Sequence, residues 1–382
     1  MERSIGIMVC EMEGEPPFAD KSFYAKLCSA GEALGVGVFV FSPGRFDPAS
    51  GTVTGFTFDL PSQTWSRRKL ALPKLVYDRS FYTDSSQYVR HRTAVHELQR
   101  LSPIKLLGRS LSGKWEVQRS LAADPLLRPH LPKTERLRSM NQLEGWLNDR
   151  GEAFLKPDAG THGKGALHVS ACDDGRFLLT GRDRHNRVVS EGFGTLPKLL
   201  EHIGRRTVGS RYLIQQYLTL ASQSGDAFDI RSLVQKDGTG RWQLTGMAVR
   251  RGQPGSVTSN LHGGGHAEEL LPFLQSEFGS RTAQSLALKL HQLSLRISET
   301  LEEHYGRLAE LGIDLGVDRS GNVWIIEVNS KPGRAVFAQI ADERSAASAV
   351  RNPIAYARFL LDSATLSRPH WPMLTTQASR KP

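Results

Sequence analysis

Long apolar runs are missing from this chain. No stretch approaches the roughly 18 residues of a bilayer-spanning helix, so a helical membrane protein is not expected. The opening segment, MERSIGIMVCEMEGE, has too short an apolar run and too many acids for a secretory signal. Cysteine is scarce. Cys10, Cys28 and Cys172 are scattered and odd in number, which argues against a disulfide framework or a zinc site and fits a reducing, cytoplasmic setting. No Gly-rich dinucleotide fingerprint follows the first expected strand, no GxxxxGK[ST] runs into a helix, and no convincing Ser-His-Asp or Cys-His arrangement occurs. Internal repeats and low-complexity tracts are absent too. What remains is 382 residues, 39% hydrophobic and 23% charged, enough for two or three domains with a continuous core. The net charge of +10 is spread along the chain without an RNA-binding or helix-turn-helix signature. It therefore points to anionic small molecules, ATP first, and not to nucleic acid.

Residues 1–110 read as an α/β unit. SIGIMVC and VGVFVFS are strands around the helical KSFYAKLCSAGEALG, a β-α-β pattern that favours a parallel sheet. GTVTGFTFDL and TWSRRKLAL alternate like antiparallel strands, LPKLVYDRS is a strand ending at Asp78 and Arg79, and YVRHRTAVHELQRLS is a helix. Residues 111–365 read as a second domain with two lobes, 111–212 and 213–365, followed by a loose tail over 366–382. The first lobe opens with the helix SGKWEVQRSLAAD, passes through the Pro-broken connector LRPHLPKTERL, and carries strand, glycine loop and strand in AFLKPDAGTHGKGALHVSA. The second contains the long helix SRTAQSLALKLHQLSLRISETLEEHYG and a short last helix at YARFLL.

The chemistry concentrates at IIEVNSKPG, residues 325–333. Glu327 and Asn329 lie two apart on a strand and so share a face. Thirteen residues upstream, Asp314 ends LGID, and VDRSGN between them reads as a hairpin turn that sets Asp314 beside Glu327. Three oxygen ligands on adjacent strands suit Mg²⁺. Lys156 stands at a strand end just before Gly160, Gly163, Lys164 and Gly165, a loop whose backbone can approach phosphates. Lys114 opens a helix after Gly113 and is a second phosphate candidate. Gln215 and Gln216 end an apolar strand, where an amide and the following backbone at Tyr217 and Leu218 could meet an adenine edge. Asp229 and Arg231 share a face of FDIRSLVQ, either as an ion pair or as a phosphate-directed Arg with an acidic orienter. Arg250 and Arg251 precede Asn260, His262, Gly263, Gly264 and Gly265, a backbone-dense anion loop. His162 and His262 both lie in glycine loops; each reads equally as a substrate contact or as loop decoration.

In this order the motifs resemble the ATP-grasp superfamily. DIR, R…SNLHGGG and D…EVNSKPG look like the RimK-type glutamate ligases, and with VYDRS and GKWEVQRSL the chain is most similar to the YheC/YheD family, labelled endospore coat-associated. The resemblance spans roughly residues 1–365. It implies a Rossmann-like pre-ATP-grasp domain and two α+β subdomains clamping ATP. It also implies Lys114 and Lys156 on the α- and β-phosphates, Gln215 to Leu218 at adenine, and Arg231 and Arg250 facing the transferred phosphoryl group. Arg250 is preferred over Arg251 by its spacing of ten from Asn260. Asp314, Glu327 and Asn329 would hold Mg²⁺, two ions in all. The implied reaction is ATP-dependent ligation of a carboxylate donor to an amine acceptor, through an acyl phosphate. The rival is an ATP-binding structural or regulatory protein of a spore or envelope layer without turnover. Gln216 departs from the acidic residue common at that hinge, which weakens the adenine assignment.

Overall fold

The computed structural model describes residues 3–102, 104–160, 163–252 and 265–363. The tail over 366–382, His162, Asn260, His262, Gly263 and Gly264 lie outside them. The chain divides into two compact units. One is formed by the described residues of Met1–Leu106, Asp237–Arg241 and Ile354–Pro382, the other by those of Leu107–Lys236 and Trp242–Pro353.

In the first unit, β1 (Ser4–Met8) leads through α1 (Lys21–Ala33) to β2 (Gly37–Asp47), and β1 and β2 pair in parallel. Gly31 lets α1 lie close on β2, since a Cβ there would meet Val38 Cγ2 at 2.4 Å. β3 (Thr52–Asp59) and β4 (Thr64–Ala71) extend the sheet antiparallel, and β5 (Leu75–Asp78) adds in parallel on the other side of β1. α2 (Ser85–Leu101) precedes the short β6 (Lys105–Leu106) and is capped by Asp84, whose carboxylate accepts from the Gln87 N–H at 2.9 Å. The order is β4-β3-β2-β1-β5-β6. Arg67, Arg68 and Lys69 charge the outer strand, which discourages edge pairing.

The second unit holds two sheets. α3 (Lys114–Ala122) and β7 (Thr134–Arg136) come first, then α4 (Met140–Arg150), β8 (Glu152–Pro157), β9 (Leu167–Ala171), β10 (Phe177–Arg182), β11 (Val188–Phe193), α5 (Leu196–Thr207) and β12 (Tyr212–Gln215). These strands make an antiparallel sheet of order β11-β10-β9-β8-β12-β7. Leu143, Trp146 and Leu147 of α4 and Leu199 and Ile203 of α5 close its core. β7 falls inside the connector expected to be irregular; three residues suffice because β12 offers an unpaired edge.

β13 (Phe228–Lys236), β14 (Trp242–Arg251), β15 (His266–Glu269), α6 (Leu270–Phe278), α7 (Ser280–Tyr305), β16 (Glu310–Val317), β17 (Val323–Asn329), α8 (Ala335–Gln339) and α9 (Glu343–Asp362) complete the chain. The sheet order is β15-β14-β13-β16-β17. Leu286, Leu290, Leu293, Ile297 and Leu301 recur at helical spacing and bury one face of α7 against Ile230, Val234, Val249, Leu311, Ile313 and Leu315. Each such side chain contributes about 1.5–3 kcal/mol. Val117 and Leu121 of α3 join the same core, so this helix packs with the second sheet although it precedes the first in sequence. The last helix is longer than the short YARFLL segment suggests. It runs 20 residues with Pro353 inside, where the missing N–H costs one helical bond without ending the helix.

Candidate functional site

The β16–β17 hairpin is set by Asp318, whose carboxylate accepts from the backbone N–H of Ser320 and Asn322, and by Gly321 at φ 78°. Asp314 stands opposite Glu327 and Gly312 opposite Asn329, with a register shift that leaves Ile326 as the extra residue. Two carboxylates and an amide thus share the end of one hairpin. Among the described residues no group of three His, Cys, Asp or Glu side chains forms a metal cluster. A set with two carboxylates fits magnesium, which is held by one or two carboxylates plus substrate phosphates, better than zinc.

Around Asp314 the strands build a buried ionic network. Arg231 donates to Asp314 from Nε at 2.6 Å and Nη2 at 3.3 Å. Arg250 donates to Asp229 from Nε at 2.6 Å and Nη2 at 2.7 Å, and its Nη2 lies 3.1 Å from Asp314. Asp229, Arg250 and Asp314 are 7%, 8% and 8% exposed. Asp229 therefore orients Arg250 and not Arg231, the partner that their spacing on one strand suggests. The cause is register. Asp229 is the cross-strand neighbour of Arg250, and Arg231 that of Asp314. Facing Cβ atoms sit about 5 Å apart, closer than residues two along one strand at about 6.6 Å. Desolvation raises the Asp314 pKa, but Arg231 and Arg250 outweigh it and hold the carboxyl below its usual range. The Arg250 guanidinium, though desolvated, is held more firmly protonated by Asp314 and Asp229. Arg251 turns to the other face and pairs with Asp226 at 2.8 Å and Glu268 at 3.2 Å.

The lysines arrive from the other sheet and from α3. Lys114 Nζ donates to Glu327 Oε1 at 2.8 Å and to the Gly160 carbonyl at 3.1 Å. Lys156, at the end of β8, has its Nζ 3.5 Å from the Ile326 carbonyl. Desolvation, opposed by Glu327 and reinforced by Lys114, pulls the Lys156 pKa down to about 8. Lys114, Lys156, Gly160, Glu327 and Asn329 line one cavity of about 310 Å³, within the range of small-molecule sites, about 300–1,000 Å³. In the adjoining loop Gly163 and Gly165 have φ of 71° and 76°, and Lys164 is exposed.

The strand-end glutamines bond towards β7. The Gln215 amide donates to Thr134 Oγ1 at 2.7 Å, and the Gln216 N–H donates to the Lys133 carbonyl at 2.8 Å, extending the ladder towards β7. The Tyr217 ring stacks on His168 at 3.6 Å. Residues 215–218 do not line the cavity; Leu213 and Thr134 do. Arg231, Arg250 and Asp314 are likewise outside its lining, although Asp314 faces Glu327. Gly265, the one described glycine of the expected anion loop, is half-buried. Two lining residues lie within the quoted motifs but were given no role there. Ser330 accepts from the Leu111 N–H at 3.1 Å, and Asp158 accepts from the Trp115 N–H at 2.9 Å.

An α/β unit followed by two α+β lobes, with Lys156 of one lobe facing a carboxylate hairpin of the other, is the ATP-grasp architecture. The D-alanine–D-alanine ligase from Coxiella burnetii shares this fold at a TM-score of 0.54 and 12% identity, over 94% of this chain and 95% of that one. The chain belongs to the YheC/D-like ATP-grasp family, whose description matches residues 103–360. Two relatives from Bacillus subtilis (strain 168) are similar along most of their length. Endospore coat-associated protein YheC is 27% identical over 333 residues, covering 85% of this chain and 88% of the relative. Endospore coat-associated protein YheD is 28% identical over 361 residues, covering 92% and 77%.

Proposed function

We propose that this protein is an ADP-forming, ATP-dependent carboxylate–amine ligase. One observation carries the reading: Lys114 and Lys156 converge on the strand end that bears Glu327, around a single cavity, with Asp314 directly across the hairpin. The ammonium groups would neutralise the polyphosphate of ATP, and the cavity beside Leu213 and Thr134 would take the nucleotide. Asp314, Glu327 and Asn329 would hold Mg²⁺. The donor set fits, since both carboxylates already attract cationic groups at 2.6–2.8 Å. Bound there, the metal supplies charge neutralisation on the phosphates.

A donor carboxylate oxygen attacks the γ-phosphorus, the bond to the bridging oxygen breaks, and ADP departs with its electron pair. The amine nitrogen then attacks the acyl carbon, phosphate leaves, and the nitrogen gives up a proton. Arg231 and Arg250 contribute positive charge near the transferred group, held in place by Asp314 and Asp229. The substrates are a small-molecule or peptide acid and an amine. ATP supply argues for the cytoplasm as the place of reaction, and the names of YheC and YheD support a link to the spore coat. Those names also support the second reading, an ATP-binding coat protein without turnover.

The deciding experiment incubates the protein with Mg-ATP, hydroxylamine, and pools of amino acids and short acidic peptides, then separates nucleotides by chromatography. ADP with a hydroxamate establishes the ligase and identifies the donor. AMP overturns the acyl-phosphate route. Tight ATP binding without turnover in every pool favours the coat-protein reading.

A further inference from the structure

Asp158 has no place in the chemistry above, yet it is 8% exposed, carries a carboxylate and lines the cavity. It follows Lys156 by two residues, and its backbone N–H donates to the Arg211 carbonyl at 2.9 Å beside β12. Its other bonds run to a segment more than forty residues away. The Asp158 carbonyl accepts from the Lys114 N–H at 3.1 Å, and Oδ1 accepts from the Trp115 N–H at 2.9 Å. Lys114 and Trp115 are the first two residues of α3, and the N-cap position is Gly113, which has no side chain to cap with. Asp158 therefore supplies the cap from outside the helix, with its charge at the positive end of the helix dipole. Gly113 leaves the room: a Cβ there would lie 3.0 Å from Asp158 Oδ1 and 3.3 Å from Cγ.

We propose that Asp158 is a positioning residue that fixes Lys114 relative to Lys156. This rests on the nucleotide reading of the two lysines. α3 packs in the core of the β13–β17 sheet, whereas Lys156 belongs to the β8–β12 sheet. The cap is a direct tie between them, and it sits one peptide from the backbone of Lys114 and two from that of Lys156. Without it the start of α3 frays, Lys114 loses its aim at Glu327 and Gly160, and the two ammonium groups no longer meet one polyphosphate.

The test compares Asp158→Ala, Asp158→Asn and Gly113→Ala in the full-length protein. It measures MgADP binding by calorimetry and the acetylation rate of Lys114 by mass spectrometry, with exposed Lys198 as internal reference. Loss of a helix cap predicts about tenfold weaker MgADP binding and about fivefold faster Lys114 acetylation in Asp158→Ala. Asp158→Asn keeps an acceptor on Trp115 and stays close to wild type. Gly113→Ala leaves every charge in place and shifts both readouts in the direction of Asp158→Ala. Unchanged readouts in Asp158→Ala overturn the proposal. So does an Asp158→Asn variant as impaired as Asp158→Ala, because the charge and not the cap would then matter. Should the wild type bind no MgADP, the nucleotide reading fails, and Lys114 acetylation alone decides the role of Asp158.

Discussion

The two sides of the site hold their charges in different ways. On β13, β14 and β16, Asp229, Arg250, Asp314 and Arg231 are bound to one another, two acids against two guanidinium groups, with bidentate contacts at Asp229. On the glycine-loop side, two ammonium groups meet backbone carbonyls and share one half-buried carboxylate, Glu327. The first arrangement is balanced in charge; the second has positive charge that is costly to keep, in line with the lowered Lys156 pKa. A balanced buried network is scaffold that sets geometry, whereas an under-compensated cluster beside a cavity is where an anion gains most by binding. Glu327 belongs to both, since it faces Asp314 across the hairpin and Lys114 across the cavity.

The largest effect should follow from removing that shared residue. Glu327→Ala is expected to abolish ATP turnover, a loss of about a thousandfold or more of electrostatic stabilisation, while circular dichroism shows the fold intact. Retained turnover with an ordinary magnesium dependence would break the metal assignment. Next, the two sides should differ in stability. Asp229→Ala strands the buried Arg250 beside Asp314 alone and should cost about 3–5 kcal/mol in urea unfolding. Lys114→Met breaks a partly exposed pair and should cost about 1 kcal/mol or less. Equal losses would erase the distinction between scaffold and ligand side. Arg250→Ala should reduce turnover far more than MgADP affinity, and a pure affinity defect would remove Arg250 from the reaction.

The order of elements and the glutamate hairpin were legible because they are written locally. Short apolar runs give β16 and β17, VDRSGN gives the turn, and the spacing of Asp314 and Glu327 follows. The same local logic fails for Asp229. Its partner is chosen by the register of β13 on β14, which no spacing within FDIRSLVQ discloses. Nor does that logic disclose the neighbour of Gln215, because the three-residue strand β7 lies in a Pro-broken connector and brings Thr134 against it. Asp158 was invisible for a third reason. A cap is normally sought in the residue before a helix, and here the acceptor comes from a distant loop. The absence of a side chain at Gly113 was the one available signal.

The smallest effect, and the finest test of the comparison, is in pH. Lys156 titrates near 8 in the folded protein against an ordinary 10.5. Contact with a polyphosphate needs the ammonium form, so MgADP affinity should be level below pH 7 and fall steadily as pH rises from 8 to 9. Stability should respond the other way. Between pH 8 and 10.5 the unfolded chain holds more protons on this residue than the folded one, so its contribution to unfolding free energy rises with pH. The penalty of the buried charge is present below pH 8 and relieved above it. Lys156→Arg keeps the charge throughout and should flatten both trends, while Asp229→Asn, on the balanced side, should leave the pH midpoint of MgADP binding in place. A wild-type affinity that does not change between pH 7 and 9 would mean that Lys156 does not hold the phosphates, and the under-compensated side would then rest on Lys114 alone.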